Sequence, residues 1–263
     1  MDYRIQISPI TGTIMRGINI IQLIITLVVP FALASCDTWT LFNTGDTVTR
    51  EVHIEGNISA IDINSIFDII LVQDTINKAL ITCGENLQPD INITEREGVL
   101  YLTSNLKYIW SRSYEKVKLE LHLTSVPRLD VRQPSYIATR DTFKTDEFFL
   151  IDWGHFTELD ATLDTRNCAI DVSSNDYGKY TVRGKSISAT LNCLGSSFIY
   201  ANDLKVQFCT VKQESIGDIY VNVSNTLTVT IENTGRVFYY GNPSEIVIKN
   251  NFPEDRLIHL TNK

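Results

Sequence analysis

The sequence predicts an all-β chain wound as a parallel β-solenoid with coils of about 20 residues. Three observations predict it: a period-two alternation of apolar and polar residues through most of the chain, a recurring strand, small-residue turn and strand unit in the second half, and the lack of a helical period. Residues 117–123, VKLELHL, alternate without a slip, and residues 67–72 and 99–102 are apolar runs of strand length. Beyond the N-terminal segment no window of about 11 residues repeats its apolar positions at i, i+3 and i+4.

The first element is an apolar run, residues 18–33, INIIQLIITLVVPFAL, 16 residues that include Asn19, Gln22, Thr26 and Pro30. A spanning helix needs about 20 mostly apolar residues, so this run is too short and too interrupted to cross a membrane. Arg16 precedes it and the small residues Ala34 and Ser35 follow, the charged, apolar, small-residue order of an export signal. Leu33-Ala34-Ser35-Cys36 resembles the bacterial lipobox. The resemblance implies diacylglycerol on the Cys36 thiol, cleavage before it and acylation of the new N-terminus, which makes residues 1–35 a lipoprotein signal peptide. Met15-Arg16 would begin a signal of more usual length than Met1 does. Residues 36–50, rich in Thr and Asp, read as a tether.

Without residues 1–35 the chain has 228 residues with 21 Lys and Arg against 30 Asp and Glu, a net charge of −9. That length allows one large domain with a substantial core or two small ones. The acidic balance excludes nucleic acid as a partner, because phosphate neutralisation supplies most of that affinity. It also leaves attachment to a membrane surface to the lipid anchor. Cys83, Cys168, Cys193 and Cys209 form no CxxC and no Cys/His set of zinc spacing. Neither a metal nor a cofactor is expected.

The second half carries the repeat. The segments VRQPSYIA at 131, IDWGHFTELDA at 151, DVSSNDYGKYTV at 171, LNCLGSSFIYA at 191, KQESIGDIYV at 212 and IENTGRVFYYG at 231 are variants of one unit. Their turn residues, Ser135, Gly154, Gly178, Gly195, Gly217 and Gly235, lie 19, 24, 17, 22 and 18 residues apart. A unit of this size cannot close a core alone, but stacked units share one. Glycine suits a tight corner where φ must be positive. The alternative, a meander sandwich with a hairpin about every 10 residues, fits less well because successive turns alternate in character.

Residues 66–102, IFDIILVQDTINKALITCGENLQPDINITEREGVLYL, then VKLELHLTSVPRLDV, the cornered repeats and GRVFYYGNP at 235–243 resemble the GIN domain, a family of adhesin-head-like proteins common among Bacteroidetes-type lipoproteins. The resemblance spans about residues 51–247, leaving 248–263 as a C-terminal tail. It implies a right-handed parallel β-helix and a cell-envelope location, the outer membrane being the expected one. It implies no reaction. This chain departs from the glycine-rich habit of the family, with Ser135 at one corner and 13 Gly in all.

No catalytic constellation stands out. His53, His122, His155 and His259 are scattered, and His122 alternates outward on its strand, where it is expected to be solvated. A β-helical lyase or glycosidase, the alternative function, would place carboxylates at equivalent positions of nearby coils. Asp152 and Asp171 are the near-equivalent pair, with Glu158 and Asp160 after the Gly154 corner, but Asn192 and Lys212 follow at the corresponding position, so no acidic ladder continues. Trp153, Phe156, Phe198, Tyr200, Tyr220, Phe238, Tyr239 and Tyr240 recur near the corners, and those that follow a corner are expected to stack coil on coil inside the core. Tyr108, Trp110 and Tyr114, among Lys107, Arg112 and Lys116, form the candidate partner surface. Cys168 and Cys209 precede their corners by 10 and 8 residues, similar strands about two coils or 10 Å apart, too far for a disulfide. The thiols are expected to be free and buried. These readings converge on a lipid-anchored envelope protein that presents a rigid β-helix to a glycan or an envelope protein, without catalysis.

Overall fold

The computed structural model describes residues 44–106, 116–125, 128–173, 175 and 177–261. These belong to one compact unit, Thr44–Lys263. Cys36, Tyr108, Trp110 and Tyr114, together with the signal segment, lie outside the described residues.

The unit is a solenoid of stacked parallel coils of about 20 residues. Its regular part comprises β9 (Tyr136–Thr139), β10 (Phe143–Asp152), β11 (Thr157–Val172), β12 (Gly178–Gly195), β13 (Phe198–Ser215), β14 (Ile219–Ile231) and β15 (Val237–Tyr240), followed by β16 (Glu245–Ile248) and β17 (Leu257–His259). Leu159 pairs with Tyr180, Tyr180 with Ile199, Ile199 with Ile219 and Ile219 with Val237. Parallel in-register stacking thus turns period-two alternation into columns, and this inward column is apolar from coil to coil. The column Cys168, Ala189, Cys209 and Leu227 runs along another wall of the same core.

β11 and β12 each change sides once. In β11 the buried positions are Thr157, Leu159, Ala161, Leu163 and Thr165, then Cys168, Ile170 and Val172, with Arg166 and Asn167 both left outside. β12 repeats this with Ser186 and then Ala189. The shift of parity marks a bend, and hydroxyl side chains hold it. Thr145, Thr165 and Ser186 occupy one register column and lie 3.0, 3.1 and 2.7 Å from the carbonyl oxygens two residues ahead. Thr165 and Ser186 also reach the carbonyls of Asp146 and Arg166 in the preceding coil, at 3.0 and 3.2 Å.

The opposite corner is where the expected glycines sit, between β10 and β11, β11 and β12, β12 and β13, β13 and β14, and β14 and β15. Positive φ explains only Gly195 (φ 75°) among them. Close approach explains two others: a Cβ on Gly217 would lie 2.1 Å from the Ser197 carbonyl oxygen, and one on Gly235 would lie 2.0 Å from that of Gly217. The corner's backbone is satisfied from within by buried polar side chains. Gln213 donates to the Gly217 carbonyl at 2.7 Å and accepts from the Ser215 amide at 2.8 Å.

The early end is built differently. β1 (Thr47–His53), β2 (Ala60–Ile63), β3 (Asp68–Gln73), β4 (Lys78–Gly84), β5 (Ile91–Arg96), β6 (Val99–Ser104), β7 (Lys118–Leu123) and β8 (Arg128–Val131) do not stack in chain order. The β2/β3 coil lies between β6/β7 on one side and β8/β9 on the other, all parallel. β4 and then β1 add to the outer edge of β7, and β5 to that of β6, all antiparallel. These strands cover edges that would otherwise offer unpaired backbone groups. β5 and β6 join through Glu97 and Gly98, both at positive φ (53° and 78°), a turn that matches strand twist. Arg50 donates to the Ile91 carbonyl at 2.8 Å and to Gln88 Oε1 at 3.1 Å, tying β1 to the turn before β5.

Two expected boundaries shift. Thr47–Arg50, read as tether, already pair in β1, and β17, read as tail, continues the sheet beside β15.

Candidate functional site

The acids singled out in the sequence do not assemble. Asp152 pairs with Val172, and Asp171 pairs with Ile151, so the two aspartates sit on opposite sides of the sheet. A slip of one residue in counting reverses the face. The rest of that column holds, since Asp171, Asn192 and Lys212 are register neighbours. Asp152 is buried, accepting from the Tyr180 hydroxyl and, at 2.8 Å, from the Gly154 amide. Burial pushes its carboxyl above the usual carboxylate range. Asp160 is bound to Arg183, whose guanidinium is held more firmly protonated by that bond.

Sequence reasoning overlooked another in-register acid pair. Asp62 and Asp130 are neighbours on β2 and β8, and each is bound by an arginine at 2.8 Å, Arg132 on Asp62 and Arg128 on Asp130. Both carboxylates are thereby committed to guanidinium groups.

His122 is not solvated as expected. Its side chain is only 14 % exposed, with Nδ1 2.8 Å from Asp74 and Nε2 3.8 Å from Glu120. The imidazole bond holds the Asp74 carboxyl below the usual range. Neighbours on β4 and the loop after β3 enclose this outward position, which alternation alone cannot foresee.

The aromatic residues stack as expected, but outside the core. Phe198, Tyr200, Tyr220 and Phe238 alternate with buried Ile199, Ala201, Ile219, Val221 and Val237. Their rings follow one another at 6.3, 5.3 and 4.7 Å with interplanar angles of 7°, 13° and 8°. Such pairs add about 0.5–1.5 kcal/mol each, and their faces are taken up by one another. Arg236 lies over Phe238, 5.2 Å from its centroid. This ladder is therefore a brace and presents mainly ring edges to solvent. Phe156, expected inside, is 65 % exposed, and Trp153, before the same corner, is 50 % exposed, because neither falls on an inward register position. Tyr239 does pack against the core and stacks on His259 at 4.7 Å.

The bend described above makes a concavity. Residues on both sides of Thr165, Ser186 and Val206 line one groove of about 750 Å3, so the outer surface is hollow along the bend. One wall is a single register column, Asp164, Lys185, Lys205 and Asn222. The other carries Asp146, Arg166, Ile187 and Gln207. Five coils at the strand spacing make it about 19 Å long. Lys185 pairs with Asp164 at 3.2 Å. The signal for the groove was the recurrence of a hydroxyl residue at 145, 165 and 186, which an analysis of the glycine corners passes over.

Stacked in-register coils of this kind define a parallel β-solenoid. The chain belongs to the family described as "Putative auto-transporter adhesin, head GIN domain", which matches residues 57–243. A putative adhesin from Bacteroides fragilis NCTC 9343 is similar in structure, with a TM-score of 0.68 and 16 % identity over 82 % of this chain and 95 % of that one. A putative adhesin from Parabacteroides distasonis ATCC 8503 gives a TM-score of 0.58 at 17 % identity, covering 82 % and 97 %. A putative lipid binding protein from the same strain gives 0.56 at 17 % identity with the same coverage. At these identities the likeness concerns the fold. No curated protein matches the chain. Among the described residues no helix is long and apolar enough to cross a membrane.

Proposed function

We propose that this chain is a lipid-anchored protein of the bacterial cell envelope whose solenoid acts as a rigid, non-catalytic binding surface for a glycan or an envelope protein. The bend groove carries this reading: an outward hollow whose lining side chains are set at regular intervals by a hydrogen-bonded backbone. Such a scaffold orders its ligand-facing groups before binding and so avoids the entropy cost of arranging them. Family membership supports a surface role, and Leu33-Ala34-Ser35-Cys36 supplies the tether that an acidic rod needs to stay at a membrane.

Two measurements on the full chain test the reading. Cys36→Ser should move the protein from the membrane fraction to the soluble fraction while its β circular dichroism stays the same; unchanged membrane association defeats the anchor. The detergent-solubilised protein should retain envelope glycans or proteins in a pull-down and release no product from polysaccharides. Product release abolished by substitution of Asp62 or Asp130 would replace this reading with a carbohydrate-active enzyme.

A further inference from the structure

Building on that binding role, we propose that the bend groove holds an extended acidic glycan, laid along the solenoid axis with its anionic groups against Arg166, Lys185 and Lys205. The shape favours a polymer over a compact ligand, because the hollow is open along five coils. Its wall offers one outward side chain per coil, so a chain of repeating units meets a repeating set of contacts.

Charge sets the class. The protein carries a net charge of −8, yet Arg166, Lys185 and Lys205 outnumber Asp146 and Asp164 along this groove. Among the described residues the Arg166 guanidinium and the Lys205 ammonium have no carboxylate partner, while Lys185, 69 % exposed, is shared with Asp164. The two acids come from β10 and β11; β12, β13 and β14 contribute Lys185, Lys205, Gln207, Asn222 and Ser224 and no acid. The groove is thus graded, with a mixed end and a basic end, and a ligand's anionic groups belong at the basic end. Charged groups of this kind bind carboxylate or sulfate through charge-assisted hydrogen bonds, and Gln207 can both donate to and accept from sugar hydroxyls.

The lining argues against the other macromolecules. A protein partner's interface core is rich in aromatic and apolar anchors and poor in Lys, whereas Ile187 is the one large apolar side chain exposed along this groove. Duplex nucleic acid brings a charge about every 1.7 Å, far more than three cations on an acidic protein can neutralise. Ring stacking is not the mode here, since the aromatic ladder lies on another face with its ring surfaces occupied.

Calorimetric titration of the full-length protein in detergent with three hexasaccharides tests the assignment: hexagalacturonate for carboxylates, a heparin fragment for sulfates and maltohexaose as the neutral case. At least one acidic sugar should bind about tenfold or more tighter than maltohexaose, and the paired change Lys185→Glu and Lys205→Glu should cost about tenfold or more. The milder pair Lys185→Gln and Lys205→Gln should give a smaller loss with unchanged circular dichroism, and Lys179→Glu, outside the groove, should give none. Which acidic sugar binds decides between carboxylate and sulfate. Equal binding of maltohexaose, no binding of either acidic sugar, or acidic binding indifferent to both pairs overturns the assignment. If the acidic sugars fail but the charge-reversed protein still captures an envelope component, the acidic-glycan assignment falls and the binding role stands; if the protein captures nothing, both fall.

Discussion

Tyr180 donates its hydroxyl to the carboxylate of Asp152, 28 residues earlier, inside the corner that joins successive coils. The bond crosses from the end of β10 to the start of β12 and so links coils through side chains as well as through the sheet. Tyr180→Phe should cost about 1–3 kcal/mol, because a buried carboxylate loses a donor, read as a lower urea midpoint. The pH dependence has a definite sign. Burial raises the folded Asp152 pKa above 3.8, so the native state binds the proton more tightly; its contribution is most favourable below 3.8 and is lost as pH rises through the folded value. Removing the Tyr180 donor raises that value further, so the gap between the two proteins should be wider at pH 8 than at pH 3. A gap independent of pH would refute this account.

The two closest corner glycines should be the least replaceable. Gly217→Ala puts a methyl 2.1 Å from a backbone oxygen, whereas at Gly154 the nearest atom is 3.1 Å away. Overpacking of this kind costs about 1–3 kcal/mol. Thermal melts should therefore show a larger loss for Gly217→Ala than for Gly154→Ala, and equal losses would rule out close approach as the reason.

Hydroxyls at the bend offer a cleaner comparison. Thr165→Val removes the contacts with the carbonyls of Asp146 and Asn167 while nearly conserving shape, and Val206 already occupies the matching register position two coils on. The cost should be about 1 kcal/mol per lost bond at most, seen as a fall in melting temperature. Ser186→Val should behave alike. No change in either would mean that the bend needs no side-chain hydrogen bond.

The cysteines should be inert until the protein unfolds. Cys168 and Cys209 share a column with Ala189 between them, too far apart to bond. Burial pushes the thiols of Cys168, Cys193 and Cys209 up to about 12, leaving almost no thiolate at pH 8. A disulfide reagent at that pH should leave all three unmodified in the native protein and modify them in guanidinium. Prompt native labelling would contradict the buried placement.

Much of this architecture is legible in the residues. Alternation in VKLELHL fixes a strand, and Gly195, Gly217 and Gly235 at near-regular intervals fix the coil. The site is harder to read. Thr145, Thr165, Ser186 and Val206 occupy one bend column with three residue types, so no single letter marks every coil, and the groove depends on a parity change that leaves composition untouched. Unequal corner lengths put Asp152 one residue out of register with Asp171, enough to send it inward. The aromatic ladder shows the same sensitivity: Tyr200 and Tyr220 stack as their spacing suggests, yet which face they take depends on register with Ile199 and Ile219. At the early end, β6 and β7 insert beside β2 and β3, against the tendency of neighbours in sequence to be neighbours in space.

The two ends of the rod are unequal in a way that bears on how such a protein can change length. Antiparallel β1, β4 and β5 close the early end like a lid. At the late end Ile246 and Ile248 extend the inward columns of Leu227 and Val229, yet they are 39 % and 56 % exposed. Those columns thus run out with their last members facing solvent, where one further coil would enclose them. Insertion of a coil here adds a storey to the roof, whereas insertion at the other end must rebuild the foundations, since the β2/β3 coil is wedged between pieces of chain that come later.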